Sequence, residues 1–196
     1  MSLPHLLLDI DGVLIPFPCR DGTTPDTHLR HDVLPAGRDP ADPVAVWLNP
    51  DHGPILREVI RTGLVSLTWC TSWRQDAATV IGPLLDLPPL PYVDLPHPRI
   101  TTSHPRGYLW KRDHVDAWLG GAPAAWIDDD FTSLDHIWAA ERTARGFPTL
   151  LVQPDPGIGL QPGHLTAVLD WVRKSGPPPP ARPGSSGRAA GDRAPR

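Results

Sequence analysis

The sequence predicts an α/β protein in which a mainly parallel central sheet is covered by helices on both faces. Two observations support this class. Apolar runs typical of buried strands alternate with segments of helical periodicity through residues 1–174. Three of the predicted strands also end in polar clusters, which read DID, CTS and DDD. Parallel strands joined by helices end at the same edge of a sheet, so these clusters are expected to meet there.

The first strand and the first helix show the patterns that define the other elements. Residues 3–10 form a continuous apolar run, which is typical of a strand buried on both faces. In residues 50–62, apolar side chains at Ile55, Leu56, Val59 and Ile60 have helical spacing, and Gly63 stands where a helix ends. The same criteria predict strands at 44–48, 64–70, 91–95, 124–127 and 149–153, and helices at 73–85, 109–119, 132–144 and 161–174.

Two regions fall outside this alternation. Residues 13–43 are rich in Pro, Gly and Asp and are predicted to form a loop or a hairpin. Residues 175–196 consist mainly of Pro, Gly, Ser, Ala and Arg, so they predict a disordered tail that follows a domain at 1–174. A protein partner bound through this Pro-rich tail is a weaker alternative to a plain solvated tail.

Composition restricts the classes of function. The 196 residues carry a formal net charge of −4, which gives no strong nucleic-acid signal and none for a membrane surface. The two cysteines, Cys19 and Cys70, form no disulfide framework. No apolar run is long enough to cross a bilayer, and the beginning of the chain lacks a signal-peptide pattern. A cytoplasmic location is therefore expected.

Asp9 and Asp11 form the first candidate site. On an extended backbone, residues two apart project to the same side, where two carboxylates repel each other unless a cation is present. Oxygen ligands of this kind suit Mg²⁺. The alternative is a turn at Asp11-Gly12. A calcium loop is excluded because its first and twelfth positions would be Leu7 and Pro18.

Asp128, Asp129 and Asp130 supply a second carboxylate cluster at another strand end. Alone, this run is more typical of acidic residues at the beginning of a helix, where the helix dipole favours negative charge. Beside Asp9 it would form an acidic set that needs a cation. Lys111 is either a surface lysine or the counter-charge of this set.

Thr71 and Ser72 follow the predicted strand at 64–70 and precede the predicted helix at 73–85. Their hydroxyl and backbone N–H groups suit either an anion at the N-terminus of that helix or simple capping of it. Capping is the better interpretation of either residue alone, and the two roles are compatible.

Taken in order, four segments resemble the motifs of one known superfamily. They are LLLDIDGVL, LTWCTSW, the pair Trp110-Lys111, and AWIDDDF. Together they resemble the four successive motifs of the haloacid dehalogenase-like (HAD) hydrolases, over about residues 3–153. The resemblance implies a Rossmann-like three-layer fold with the first strand in the centre of the sheet.

The resemblance also implies a mechanism. Asp9 would be the nucleophile that becomes phosphorylated, and Asp11 would protonate the leaving group and then activate water. Mg²⁺ would be held by Asp9, the backbone carbonyl of Asp11 and Asp129, with Asp128 as a second acidic partner. The residues expected to contact the substrate are Thr71, Ser72, Gly12 and Lys111.

An acid two positions after the nucleophile resembles the phosphatases of the superfamily rather than its dehalogenases or ion pumps. The predicted function is a magnesium-dependent phosphomonoester hydrolase whose substrate is not identified. The alternatives are a catalytically weak module that binds a phosphorylated ligand or a protein, and a phosphotransferase.

The spaces between the motifs are too short for a full cap domain, so an open site is expected, with residues 15–43 as the lid. That loop carries Arg20, His28, Arg30 and His31, each of which is more typical of solvated loop charge than of substrate contact. The two tryptophans that flank motifs, at positions 73 and 110, are interpreted as packing residues rather than as stacking platforms. Cys70 is interpreted as a buried strand thiol.

Overall fold

In the computed structural model, which describes residues 3–18, 22–96 and 103–175, a four-stranded parallel sheet lies at the centre. Its order is β4-β1-β5-β6, so the first strand is an inner one, and β2 and β3 form a separate antiparallel hairpin. The strands are β1 His5–Leu8, β2 Leu29–Val33, β3 Val44–Leu48, β4 Ser66–Trp69, β5 Ala124–Ile127 and β6 Thr149–Val152. The predicted α/β class with a mainly parallel sheet is confirmed.

The helices connect these strands in the predicted order. They are α1 His52–Arg61, α2 Gly82–Leu84, α3 Arg112–Leu119, α4 Ser133–Ala144 and α5 Pro162–Ser175, and a π-helical segment, Ala77–Ile81, leads into α2. Within the described ranges, no helix is both long enough and apolar enough to span a bilayer.

Alternation along β1 explains why both faces of the sheet are covered. Leu6 and Leu8 point into a core that includes side chains of α1 and α5, whereas Leu7 points into a second core with side chains of α3 and α4. All three leucines have no exposed surface. A continuous apolar run is therefore what this strand needs, because successive side chains enter different cores.

The prediction of a helix over 73–85 is wrong in its first two residues and in its type. Arg74 has φ +51°, a left-handed conformation that a right-handed helix excludes. Helical structure begins at Gln75, and Ala77–Ile81 is π-helical because the Gly82 N–H bonds to the carbonyl of Ala77, five residues earlier. Pro83 then has no N–H with which to continue a regular ladder.

The predicted strand at 91–95 is also wrong. Only Tyr92 pairs with the sheet, through an isolated parallel bridge to Trp69. The N–H of Trp69 donates to the Pro91 carbonyl (2.9 Å), and the N–H of Val93 donates to the Trp69 carbonyl (2.8 Å). Pro91 itself has no N–H to contribute to a ladder.

The segment at 13–43 contains the first strand of the hairpin, which pairs Leu29 with Leu48 and Val33 with Val44. Of the basic residues predicted there, His28 is buried and Arg30 pairs with Asp32 at 2.7 Å. Cys19 and Arg20 lie outside the described residues. So does the predicted tail from 176 onward, although its first predicted residue, Ser175, belongs to α5.

Candidate active site

The ends of three neighbouring strands bring the predicted site residues to one edge of the sheet. Leu8 is level with Trp69 on one side and with Ile127 on the other. The residues that follow each strand therefore emerge together. Asp9 follows β1, Thr71 comes two residues after β4, and Asp128 follows β5.

Lys111 lies between two of these carboxylates. Its Nζ donates to Oδ2 of Asp9 and, at 2.8 Å, to Oδ2 of Asp128, and all three residues are buried. Burial alone would lower the pKa of Lys111, but the charges of Asp128 and Asp9 outweigh burial and raise it. The lysine is therefore a fixed positive charge, and the other Asp9 oxygen, Oδ1, accepts the N–H of Ile10 (2.8 Å).

Asp9, Asp128 and Asp129 form a cluster with the composition of a metal site. Their carboxylate oxygens include a set in which every atom lies within 4.8 Å of the others. Burial, followed by the charges of Asp130 and Asp9, raises the pKa of Asp129 to about 7. Three carboxylates beside one lysine leave an excess of negative charge, and a hard divalent cation such as Mg²⁺ would neutralise it with the oxygen ligands it prefers.

Gly12 allows this cluster to close. Its φ is +70°, and a Cβ built on it would lie 2.2 Å from Cγ and from Oδ2 of Asp129. A side chain at position 12 would therefore displace the Asp129 carboxylate. The turn that carries Gly12 is fixed by its N–H, which donates to the Ile15 carbonyl (2.8 Å). The structure thus places Gly12 against a predicted metal ligand.

Asp11 lies beside the cluster with its carboxylate held by two donors from the loop after β4. Trp73 Nε1 donates to both of its oxygens (3.2 and 3.1 Å), and Ser72 Oγ donates to Oδ2 (3.3 Å). Burial and the charge of Asp9 raise the pKa of Asp11, and the hydrogen bond from Trp73 opposes them. The carboxylate is half-buried and has a fixed orientation.

The sequence predicts a packing role for Trp73, which its contact with the core confirms, but it does not predict the hydrogen bond to Asp11. The only available signal was its position, two residues after Thr71 in a polar loop at a strand end. A tryptophan ring has one donor, Nε1–H, and a buried or half-buried ring usually finds an acceptor for it.

Thr71 is buried, and its Oγ1 accepts the N–H of Trp73 at 3.4 Å. Its carbonyl accepts the N–H of Arg74 (3.1 Å), so the residue shapes a turn. Helical structure begins at Gln75 rather than at 73, so Thr71 and Ser72 lie in a turn before the helix, and the prediction that they cap it is wrong. The Thr71 hydroxyl lies at the site edge of the sheet, and its contact with a phosphoryl group stays a prediction.

The acidic run after β5 does not cap the next helix. Thr132 precedes α4 and occupies the cap position, whereas Asp128 and Asp129 are buried in the cluster. The N–H of Asp130 donates to Oδ1 of Asp128 at 3.2 Å, which fixes that carboxylate.

Two further residues near the site have packing roles. Trp110 packs on the edge of a core cluster, and Cys70 is fully buried, which raises the pKa of its thiol.

The strand order, the acidic strand ends and the buried lysine define a Rossmann-like α/β protein with a charged site at the carboxyl edge of its sheet. The chain belongs to the haloacid dehalogenase-like superfamily, in which the four motifs had placed it. Residues 5–165 match the family described as the HAD domain in Swiss Army Knife RNA repair proteins. Comparisons with curated proteins and with solved structures gave no match. The superfamily in general comprises hydrolases and phosphotransferases.

Proposed function

We propose that the protein is a magnesium-dependent phosphomonoester hydrolase that works through an aspartyl-phosphate. The observation that carries the proposal is the buried contact of Lys111 with both Asp9 and Asp128, beside a third carboxylate, Asp129. A structural ion pair would need one carboxylate for one lysine. The surplus of negative charge is explained if a divalent cation occupies the site, and such a cation would also attract the negatively charged phosphoryl group.

In the first step, an oxygen of Asp9 attacks the phosphorus and the bond from phosphorus to the leaving oxygen breaks. Lys111 compensates charge on the phosphoryl oxygens. Asp11, in its protonated form, gives its proton to the leaving oxygen, and the burial that raises the pKa of Asp11 favours that form. The products of this step are a free alcohol and a phosphorylated Asp9.

In the second step, water attacks the phosphorus of the aspartyl-phosphate. Asp11, now ionised, takes a proton from that water, and the bond from phosphorus to the Asp9 oxygen breaks. Inorganic phosphate is released, and both carboxyl groups return to their starting states. The fixed orientation of Asp11, held by Ser72 and Trp73, suits a group that serves both steps.

The residues that would hold Mg²⁺ are Asp9 and Asp129, together with the backbone carbonyl of Asp11, and Asp128 is a second acidic partner. When bound, the ion would neutralise charge on the phosphoryl oxygens and align the phosphorus with Asp9. The close approach allowed by Gly12 supports this assignment.

For the natural substrate, we propose a phosphate at the end of an RNA strand. The support is the description of the matched family, which names RNA repair proteins. The acidic net charge of −4 argues against nonspecific binding along a nucleic acid. Recognition would therefore be local, at the terminal nucleotide. A cytoplasmic location and a protein partner for the tail stay predictions.

The test measures phosphate release from an aryl phosphate and from an end-phosphorylated oligoribonucleotide, with and without Mg²⁺. Asp9→Asn is expected to lower kcat by about a thousandfold or more, because the substituted amide is a poor nucleophile. Asp170→Asn, at an exposed position of α5, is the matched control and should retain activity.

Equal rates in the wild type and in Asp9→Asn would overturn the proposal. No turnover of any phosphate ester would favour the binding module. Phosphate that appears on an added alcohol rather than in water would favour the phosphotransferase.

A further inference from the structure

A cavity of about 600 Å³ lies beside the candidate active site. One wall comes from the turn that joins β2 to β3, at Pro35, Ala36 and Arg38. The other comes from residues 72–76, which follow β4. The volume falls in the range typical of sites for small ligands, which is roughly 300–1,000 Å³.

Two residues connect this cavity to the reacting groups. Ser72 and Trp73 both line it, and both donate hydrogen bonds to the carboxylate of Asp11. In the proposed reaction Asp11 gives its proton to the leaving oxygen. The cavity therefore lies on the side of the site to which the leaving group must extend.

The walls present two aromatic rings and two guanidinium groups. Trp73 and Tyr92 are half-buried, pack against the core and also line the cavity. Arg38 and Arg74 supply positive charge. Rings of this kind bind the flat faces of bases, and guanidinium groups bind phosphate oxygens in pairs.

Both arginines have carboxylate partners that a ligand can replace. Arg38 pairs with Asp42 at 3.1 Å and Arg74 pairs with Asp94 at 2.6 Å, and the side chains of the two aspartates are 71% and 74% exposed. Exposed ion pairs contribute little free energy, so exchange of Asp42 or Asp94 for a phosphate costs little.

The two walls are held in place relative to each other. The backbone N–H of Ala36 donates to both carboxylate oxygens of Asp76 (3.2 Å each), which ties the hairpin turn to the loop after β4. Arg74 keeps a left-handed backbone with φ +51°, which is unfavourable for a residue with a side chain. Such strain persists where the surrounding structure fixes it, as in a preformed binding site.

We propose that this cavity is the subsite for the leaving group and that it binds a nucleotide. The base lies against Trp73 and Tyr92, and a phosphate next to the scissile one lies against Arg38 and Arg74. The inference rests on the proposed hydrolase function for its orientation, since that function identifies Asp11 as the proton donor. The hairpin turn and the loop after β4 would then determine which leaving groups the site accepts.

The first measurement compares kcat/KM for adenosine 3′,5′-bisphosphate with kcat/KM for phenyl phosphate. Arg38→Gln is expected to lower this ratio by about tenfold, because phenyl phosphate has no second phosphate for the arginine to bind. Arg61→Gln is the matched control, since Arg61 is an exposed arginine of α1 that pairs with Glu58. Its ratio should stay within about twofold of the wild type.

The second measurement needs no turnover. Binding of adenosine 5′-monophosphate is followed by calorimetry without Mg²⁺, in the wild type, in Arg38→Gln and in Tyr92→Leu. Each variant is expected to raise Kd by about fivefold or more, the effect of losing a guanidinium–phosphate contact or a base-stacking contact. Thermal unfolding of both variants checks that the loss is local.

The outcomes separate the two proposals. If no phosphate ester is hydrolysed but both variants weaken nucleotide binding, the subsite stands and the hydrolase proposal fails. If esters are hydrolysed but the ratio and Kd are the same in every variant, the hydrolase stands and the subsite is wrong. If neither hydrolysis nor nucleotide binding is found, both proposals are wrong.

Discussion

At Gly12, a single residue determines both the backbone turn after β1 and the space available to a carboxylate of the candidate site. Its left-handed φ of +70° is favourable only for glycine, and the space where a Cβ would lie is filled by the Asp129 carboxylate. The Asp11-Gly12 pair was open to interpretation as a turn or as part of a metal site. In the structure the pair forms a turn, and this turn leaves room for the Asp129 carboxylate of the acidic cluster.

Substitution of this glycine should have two separate effects, one on the stability of the turn and one on metal binding at the site. Gly12→Ala is expected to lower Mg²⁺ affinity by about tenfold or more, because the new Cβ displaces Asp129. It should also reduce stability by about 1–2 kcal/mol through backbone strain. A calorimetric Mg²⁺ titration and urea unfolding measure the two effects.

Gly63→Ala is the matched control. Gly63 has a similar φ of +62°, but nothing lies within 4 Å of its Cβ position. It should show the loss of stability without the loss of Mg²⁺ affinity. Equal Mg²⁺ affinity in the two variants would contradict the assignment of Asp129 as a ligand.

At the scale of elements, Asp135 connects α4 to the chain that carries Lys111. Its carboxylate accepts the N–H of Thr132 (2.9 Å) at the beginning of α4 and the N–H of Leu109 (3.1 Å), two residues before Lys111. Asp135 has no exposed surface. One buried side chain thus caps a helix and also fixes the segment from which Lys111 emerges.

Asp135→Ala is expected to lower the free energy of unfolding by about 2–4 kcal/mol, because it removes a helix cap and leaves the buried N–H of Leu109 without an acceptor. Urea unfolding measures the change. Asp170→Ala, which removes only an exposed pair with Arg173 on α5, should change stability by less than about 0.5 kcal/mol. Similar losses in the two variants would show that Asp135 has no special structural role.

At the scale of the whole molecule, a contact between two buried histidines joins the hairpin to the main sheet domain. His28 precedes β2 and His52 begins α1, and their rings lie 5.7 Å apart at 79°. His52 Nε2 hydrogen bonds to the carbonyl of Leu160 (3.0 Å). Burial lowers the pKa of His52 to about 4, although the hydrogen bond to Leu160 and the charge of Asp51 oppose this shift. Burial also lowers the pKa of His28.

These histidines make stability depend on pH. Below a pH of about 6.5 the two histidines bind protons in the unfolded chain but not in the folded protein. The free energy of unfolding should therefore decrease as pH falls. For His52 the decrease continues to a pH of about 4, with a slope of at most about 1.4 kcal/mol per pH unit. Urea unfolding at pH 7, 6 and 5 measures it.

His52→Gln is the test variant, since its amide can still donate to the Leu160 carbonyl but does not titrate. The slope between pH 7 and 5 should become shallower in this variant. His114→Gln, on α3, is the control and should keep the wild-type slope. Parallel slopes in all three proteins would exclude a contribution from His52.

Local pattern was sufficient for most elements because each is specified by side chains close in sequence. The apolar run at β1 and the spacing of Ile55, Leu56 and Val59 predicted a strand and a helix at the right places. The prediction failed where one residue's backbone or a missing N–H decided the outcome. Arg74 delays the beginning of the predicted helix at 73–85, and Pro91 has no N–H for the predicted strand at 91–95. Neither effect is visible as a periodicity.

The order of the motifs was sufficient to place the polar strand ends at one edge of the sheet, because parallel strands with helical connections always end there. The sequence therefore predicts that Asp9, Lys111 and Asp128 lie together at this edge. The contact of Trp73 with Asp11 was not, because it depends on the course of an irregular loop.

The sequence by itself determined the α/β class, the family and the acidic composition of the site, because each is encoded in residue type and order along the chain. Only the tertiary structure decided that Lys111 contacts two carboxylates, that Asp129 fills the space above Gly12, and that the hairpin turn forms a cavity beside Asp11. Those features join residues far apart in sequence, and their distances are set by packing on both faces of the sheet rather than by any local pattern.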